Sequence, residues 1–403
     1  MENSTKFSLK DIYYVELGDK NIFKVSWKMT DWCPYKCSYC YMSKAVEAAK
    51  AKEDNPTQEY VEQIASNLDD YVNSHADPNA LVRLHLIGGE PSIFNLVALL
   101  EKVKRVKYIS LATNFYRDLD YWVELKDYCI KRQIQLGIAA SFHLEMLKTD
   151  KQRWDFCHKL LAVKGQLKAV LDNDNIEEYK PYFQFVMDND LGLEITLTRD
   201  GENRGCTLTP ENQEYVDQLR DYQYKRRTRR HLKPYFITHH YNGDVNYYSS
   251  NISLLNNTKE GILDYSGFYC NAGENNVRIN QQGELLRSAC RLCSGVMKIG
   301  NILDKKSWVN KEDLKPFICN CYTAKLKSNY YNSKKVLKGC TCFNNCEMWQ
   351  PGYNRETKIF TPGVVEPIPN YHEMYKGTKG ELVECMWDRA DWPDRDEEDL
   401  NES

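Results

Sequence analysis

Between residues 22 and 226, short runs that alternate apolar and polar residues take turns with longer stretches of helical period. The short runs cover 22–29, 81–87, 106–112, 134–141, 166–171 and 193–197. The helical stretches cover 57–76, 92–104, 117–132, 147–163, 177–188 and 210–226. Strands that alternate with helices of this length imply parallel βαβ units. Six units can close part-way into a barrel or lie as an open sheet, and periodicity alone does not choose. In either case ligands gather beyond the carboxyl ends of the strands. The residues just past each short run are therefore where chemistry is expected.

The first such place reads Trp32-Cys33-Pro34-Tyr35-Lys36-Cys37-Ser38-Tyr39-Cys40-Tyr41. Its C-x-x-x-C-x-x-C spacing lets three sulfurs surround one small inorganic body without help from distant residues. Thiolates are soft ligands and select iron–sulfur clusters or zinc. A tetrahedral zinc wants four protein ligands, and no fourth Cys or His lies near. Three ligands suit a [4Fe–4S] cluster with one iron left open. The alternative is a structural zinc loop completed by a distant His or Cys.

The second run ends in Gly88-Gly89-Glu90-Pro91. Glycines there let a backbone approach a ligand, or simply make a tight strand-to-helix turn opened by Pro91. The third run ends Ala112-Thr113-Asn114 and the fourth Ala140-Ser141-Phe142-His143. Thr113, Asn114 and Ser141 can face a ligand or cap a turn, which Ser, Thr and Asn favour in any case. His143 reads as a satisfied structural histidine. Asp172, Asn173, Asp174 and Asn175 read as a polar turn after the fifth run.

Taken together, the cysteine loop and the Gly-Gly-Glu-Pro turn resemble the radical S-adenosylmethionine (radical SAM) superfamily. Its pattern is C-x-x-x-C-x-aromatic-C, and Tyr39 fills the aromatic slot. The resemblance implies a partial (β/α)6 TIM-like barrel in an α/β fold, with Cys33, Cys37 and Cys40 holding a [4Fe–4S] cluster. It implies that S-adenosyl-L-methionine binds the open iron and is split reductively to a 5′-deoxyadenosyl radical, which takes a hydrogen atom from substrate. It assigns cofactor binding to Tyr39, Gly88, Gly89, Glu90, Thr113, Asn114 and Ser141. An electron donor such as flavodoxin or ferredoxin is implied as a partner.

Of the 15 cysteines, eight crowd the C-terminal third: Cys270, Cys290, Cys293, Cys319, Cys321, Cys340, Cys342 and Cys346. Eight thiols are the number needed for two four-cysteine clusters. Cys270, the Gln282-Gly283-Glu284 turn and Ile299-Gly300-Asn301-Ile302 resemble the SPASM/twitch extension of the superfamily, a small Cys-rich α+β domain that carries auxiliary [4Fe–4S] clusters. Cys342 and Cys346 keep its C-x-x-x-C spacing; Cys340 and the Cys319/Cys321 pair do not match it. Cys385 is a candidate final ligand. Zinc ribbons in the same residues are the alternative. Cys129, Cys157 and Cys206 stand alone and read as core residues.

A net charge of -3 points to no nucleic acid or membrane partner. No apolar run reaches the roughly 18 residues of a membrane span, and Met1–Lys6 lack a signal core, so a cytoplasmic protein is expected. The basic run 225–233 reads as the solvated end of the sixth helix rather than a phosphate site. Asn242-Gly243 marks a β-hairpin. The tail Asp388–Ser403 is too polar to order itself. The expected organisation is a lead-in at 1–21, the barrel at 22–233, a bridging hairpin region at 234–268, the auxiliary-cluster domain at 269–350 and an extension at 351–403. The favoured substrate is a ribosomally made peptide or a protein side chain, as for many relatives with this extension. Modification of a nucleotide, nucleic-acid base or metabolite is one alternative, and a non-catalytic zinc or iron–sulfur binding protein is another.

Overall fold

Each of the six expected strands forms, and each is followed by its helix. β2 (Ile22–Lys28) leads to α1 (Ser43–Ala51) and α2 (Gln58–His75). Then come β3 (Leu81–Ile87) with α3 (Leu96–Lys102), β4 (Val106–Thr113) with α4 (Leu119–Lys131), and β5 (Gln135–Phe142) with α5 (Asp150–Val163). β6 (Gln166–Leu171) with α6 (Ile176–Asp188) and β7 (Gly192–Leu197) with α7 (Pro210–Arg229) complete the series. β1 (Ile12–Leu17) precedes it. This computed structural model describes residues 12–17, 22–38, 40, 43–51, 55–197, 208–229, 236–240, 242–248, 262–263, 269–270, 273, 276–287, 298–314, 317–318, 326–327, 349–350, 353–354 and 359–360.

Local chemistry sets the helix ends. Thr57, Asn95, Asp118 and Thr149 each accept a backbone N–H of the first turn, which is why Ser, Thr, Asp and Asn open helices. Thr149 and Gln152 make a reciprocal capping box, so α5 starts at Asp150 rather than at 147. The helix expected over 92–104 is split. Glu90 caps a 3-10 turn at Pro91–Ile93, and Asn95 then starts α3 afresh. α1 was not foreseen, although its Ala- and Lys-rich sequence has high helix propensity.

β2 to β7 pair in sequence order, all parallel, and the sheet does not close on itself. The architecture is the expected partial barrel. Side chains alternate between faces along each strand. Val25, Trp27, Leu84, Leu86, Ile109, Leu111, Ile138 and Phe142 point to the helices and are buried. Phe142 meets Phe156 of α5 and Tyr179 of α6 edge-on or tilted. That apolar layer is the core, and among the described residues no helix covers the opposite face of the sheet.

β8 (Phe236–His240) and β9 (Val245–Tyr248) form the hairpin signalled by Asn242-Gly243, and β8 pairs with β1. β10 (Ile262–Leu263) pairs with Leu326–Lys327, and β11 (Tyr269–Cys270) lies between Phe317–Ile318 and Trp349–Gln350. β12 (Asn276–Ile279) and β13 (Glu284–Leu286) form the hairpin turning at Gly283, followed by β14 (Lys298–Asn301). β12 pairs in parallel with β2, so these three strands lengthen the barrel sheet to nine. No local pattern announced that join. It brings residues about 250 positions apart in the chain into register. No helix among the described residues is long and apolar enough to cross a membrane.

Candidate active site at the cysteine loop

The loop after β2 is stitched onto the turn after β3. Gly89 N–H donates to the Thr30 carbonyl at 2.8 Å, and Glu90 N–H to the Trp32 carbonyl at 2.9 Å. Gly88 sits at φ +147, and a Cβ there would meet the Thr30 carbonyl oxygen at 2.3 Å. A Cβ on Gly89 would lie 2.0 Å from the Trp32 carbonyl oxygen. Both glycines are thus required by the approach of two backbones, whatever else binds there. Thr30 Oγ1 accepts from Trp32 N–H at 2.9 Å and completes the turn.

Four further residues that the sequence reading did not single out hold this loop. Lys50 of α1 donates to the Tyr35 carbonyl at 3.3 Å, and its ammonium lies 5.8 Å from the Trp32 ring centroid. Glu145 accepts from Ser38 N–H at 2.7 Å. Asn55 pairs its side chain with that of Thr30 at 2.9 Å. Gln281, in the β12–β13 turn, accepts from Asp31 N–H at 2.8 Å. The C-terminal hairpin therefore touches the cysteine loop directly. Only the α1 propensity and the Gln281-Gln282-Gly283 turn left any trace of these contacts in the sequence.

Cys33, Cys37 and Cys40 are not in disulfides. Burial pushes the Cys33 thiol up to about 11, with Glu90 and Cys40 adding to the rise while a hydrogen bond from the Tyr35 backbone and the charge of Lys50 oppose it. Burial pushes Cys37 up to about 12, with Glu145, Cys33 and Cys40 adding to it. The mutual influence of the three places them in one neighbourhood. A nucleophilic cysteine needs an electropositive setting that lowers its pKa, and this loop does the opposite. Thiols that are costly to ionise alone suit metal ligation, where the bound cation neutralises the thiolates. No three His, Cys, Asp or Glu side chains among the described residues close on a single ion. A four-iron cluster takes one thiolate per iron, so its ligands stand apart. The donor set fits such a cluster.

Glu90 is wholly buried, at 0% exposure. Its carboxyl accepts from Ser92 N–H at 2.9 Å, Thr113 Oγ1 at 2.7 Å and Asn114 N–H at 2.6 Å. Thr113 Oγ1 in turn accepts from Phe115 N–H at 3.0 Å. Phe115 adopts φ 56, and the left-handed turn follows directly on Asn114. Asn114 is 4% exposed; its Nδ2 reaches Cys33 Sγ at 3.5 Å, while its Oδ1 has no hydrogen-bond partner among the described residues. Gly88, Gly89, Glu90, Thr113, Asn114 and Cys33 therefore make one contact network. Ser141 stands on the helix-free face of β5, in register with Lys168 of β6. His143 packs its ring edge on Tyr35 at 5.9 Å, and burial pushes it down to about 4, so it is neutral near neutral pH.

Other expected ligands fall outside the described residues: Tyr39, Cys290, Cys293, Cys319, Cys321, Cys340, Cys342, Cys346 and Cys385, and with them Cys206 and the tail Asp388–Ser403. Of Cys270 the structure describes the backbone, in β11. Cys129 and Cys157 are buried in the core, as lone cysteines usually are. In the basic run, Lys225 pairs with Asp221 at 2.6 Å, and Arg226 donates to the Asp190 carbonyl at 3.0 Å. Lys225 is exposed, whereas the Arg226 side chain is 13% exposed and lies on the turn that follows α6.

Burial holds the Glu90 carboxyl above the ordinary range, against the opposing donors Asn114, Ser92 and Thr113. A carboxyl with a raised folded pKa binds more protons folded than unfolded. It therefore costs stability as pH rises from the ordinary carboxylate range through the raised value. Glu90→Gln removes this pH-dependent part but sets an amide N–H against the Asn114 N–H. The variant is expected to lose about 1–3 kcal/mol while depending less on pH. Urea unfolding of both proteins between about pH 5 and pH 8 reads the difference in slope. Equal slopes would show that Glu90 does not titrate in this window.

Residues 27–167 match the family model of the radical SAM superfamily. The fold is similar to SuiB of Streptococcus suis at 16% identity and a TM-score of 0.43, covering 73% of this chain and 66% of SuiB, just under two thirds of its length. It is similar to native anSMEcpe with bound AdoMet and Cp18Cys peptide at 14% identity and a TM-score of 0.42, covering 89% of this chain and 97% of the other. SuiB bound to precursor peptide SuiA aligns at 16% identity and a TM-score of 0.42, covering 80% of this chain and 69% of SuiB. No curated protein matched the sequence. The cysteine loop and the Gly-Gly-Glu-Pro turn both lie inside the matched segment, so residues 27–167 form a radical SAM domain.

Proposed function

We propose that Cys33, Cys37 and Cys40 hold the reactive cluster, and that the radical made there modifies a side chain of a ribosomally made peptide or protein. The observation that carries the reading is the loop itself. Three cysteines of one loop, two of them with thiols that burial pushes up, lie beside the Gly88-Gly89 turn whose backbone holds that loop at the carboxyl end of the sheet. Cys33, Cys37 and Cys40 would hold a [4Fe–4S] cluster with one open iron, which would supply one-electron reductive cleavage of S-adenosylmethionine when bound.

The chain's own part is to orient and to exclude water. The Glu90 carboxyl locks the ends of β3 and β4 by three hydrogen bonds. Asn114 then presents an unpartnered Oδ1 beside Cys33, suited to an amino or hydroxyl donor of the nucleoside. Gly88, Gly89 and Ser141, with Tyr39 by its motif position, complete the proposed cofactor set. Gln281 ties the loop to the C-terminal strands, so both regions can act on one substrate. The eight cysteines from Cys270 to Cys346 are proposed as ligands of auxiliary clusters, from their likeness to the SPASM/twitch pattern. That extension is what favours a peptide substrate, with a flavodoxin or ferredoxin as electron donor.

Protein reconstituted anaerobically with iron and sulfide and reduced with dithionite is expected to convert S-adenosylmethionine into equal amounts of 5′-deoxyadenosine and methionine. Chromatography of the quenched reaction measures both. A preparation with its iron and sulfide in place that yields neither product would overturn the reading.

A further inference from the structure

The face of the sheet opposite the buried core carries several cations alongside Glu194. On β2 and β3 the residues opposite in parity to the buried core include Lys24, Arg83 and His85. Lys24 and Arg83 are in register, as are Arg278, Ser26, His85 and Ser110 across β12, β2, β3 and β4. β6 adds Lys168 in register with Ser141. Three elements far apart in the chain thus bring Arg83, Lys168 and Arg278 to one concave surface. Among the described residues of the parallel strands, the acidic side chain on this face is Glu194, 3.1 Å from Lys168.

His85 stands on the same face of the sheet, in register with Ser26 and Ser110. It is exposed to solvent and bonds Ser110 Oγ through Nδ1 at 2.5 Å. Yet burial, then the charges of Lys168 and Arg278, push it below its ordinary value. Arg83 stacks on the Tyr108 ring at 5.2 Å, which fixes the plane of its guanidinium. His85 stands three residues before Gly88, or ~10 Å along an extended strand.

We propose that this face binds the carboxylates of an acidic peptide, with Arg83, Lys168 and Arg278 as the anion contacts and His85 and Ser110 as neutral hydrogen-bond partners. The proposal rests on the peptide-modifying reading above and narrows it to substrates with Asp or Glu near the modified residue. Arginine is suited to this, because its planar fork matches a carboxylate in two parallel bonds. Long-range charge complementarity also speeds encounter and rejects basic peptides.

The test uses the full reconstituted chain and a fluorescein-labelled decapeptide of alternating Glu and Gly, read by anisotropy. Binding is expected to weaken roughly tenfold between ~0.05 and ~0.5 M salt. The double variant Arg83→Gln/Arg278→Gln is expected to bind at least about tenfold more weakly, because two charge-assisted pairs are lost. Lys168→Gln, on a half-exposed side chain, gives a second reading if the double variant fails to fold, with a loss of about threefold to tenfold. The matching Lys–Gly decapeptide should not compete. Binding that ignores salt and all three substitutions overturns the proposal, as does displacement of the probe by AMP at lower concentration than by unlabelled Glu–Gly peptide. Cleavage of S-adenosylmethionine by the wild type, measured in the same samples, separates the two readings. If cleavage proceeds and the acidic peptide does not bind, this inference alone falls. If cleavage fails in loaded protein, the radical reading falls with it.

Discussion

A variant with Cys33, Cys37 and Cys40 all replaced by Ala is expected to release no 5′-deoxyadenosine from S-adenosylmethionine. The three thiols share one loop and are held by the same few backbone bonds, so removing them takes away a whole ligand set while sparing the core. Cys37 is buried, but none of the three belongs to the contiguous apolar layer between sheet and helices that Trp27, Leu84 and Phe142 build. The fold is therefore expected to survive, with a thermal midpoint within a few degrees of the wild type, as for most substitutions outside a packed core. The same variant should still contain iron and acid-labile sulfide if Cys270 to Cys346 are, as proposed, a second ligand set outside this loop. Elemental analysis beside the cleavage assay gives both answers. Continued cleavage would sink the assignment of the loop. Zinc without sulfide would mean that the C-terminal cysteines form ribbons.

The fold was legible because the burial demand is simple. Each strand buries one parity of its side chains against helices, so Val25 and Trp27, or Leu84 and Leu86, advertise the sheet in a window of a few residues. β3 and β6 begin and end where the alternation does. The helix boundaries moved where a cap overrode the period, at Asn95 and at Thr149. What could not be read was long-range. Nothing in Asn276–Ile279 says that it will pair in parallel with β2, because parallel pairing is decided by which edge is left open after the barrel forms. The Gln281–Asp31 contact follows from that pairing and was equally hidden.

The site was legible as a set of positions but not as a set of contacts. Thr113 and Glu90 were marked by their places at strand ends. The structure spends the Thr113 hydroxyl on Glu90 and on Phe115, and the Glu90 carboxyl on the backbone of its neighbours. Such a network needs coordinates, because residues 90 and 113 meet only once β3 and β4 are side by side. Lys50 and Glu145 bear on the loop from a helix and from the end of another strand, and neither carries a motif. The polar parity of the sheet was present in the sequence all along, in Lys24, Arg83, His85 and Lys168. It acquired meaning when the register showed that these side chains share a concave face with Arg278.

Gly89→Ala is expected to cost the protein its loop cluster. The added Cβ would sit 2.0 Å from the Trp32 carbonyl oxygen, 2.5 Å from its carbon and 2.8 Å from the Asp31 carbonyl oxygen. All three are backbone atoms, so no side chain can swing aside. The loop itself must move, and it is held by the very bonds that Gly89 and Glu90 donate to Thr30 and Trp32. Overpacking in a tight site costs about 1–3 kcal/mol and can cost more against backbone. The lost hydrogen bonds add about 1 kcal/mol each. Cys33 directly follows Trp32, so the shift is passed to the first ligand. Iron and sulfide bound by the loop should fall to a small fraction of the wild type, with the thermal midpoint lowered. Gly243→Ala supplies the control. It too has a positive φ, +91, but a Cβ there meets nothing within 4 Å. It should show only the left-handed strain of about 1 kcal/mol and no change in iron. If Gly89→Ala binds as much iron as Gly243→Ala, the seating of the cysteine loop on this turn is not what positions its ligands.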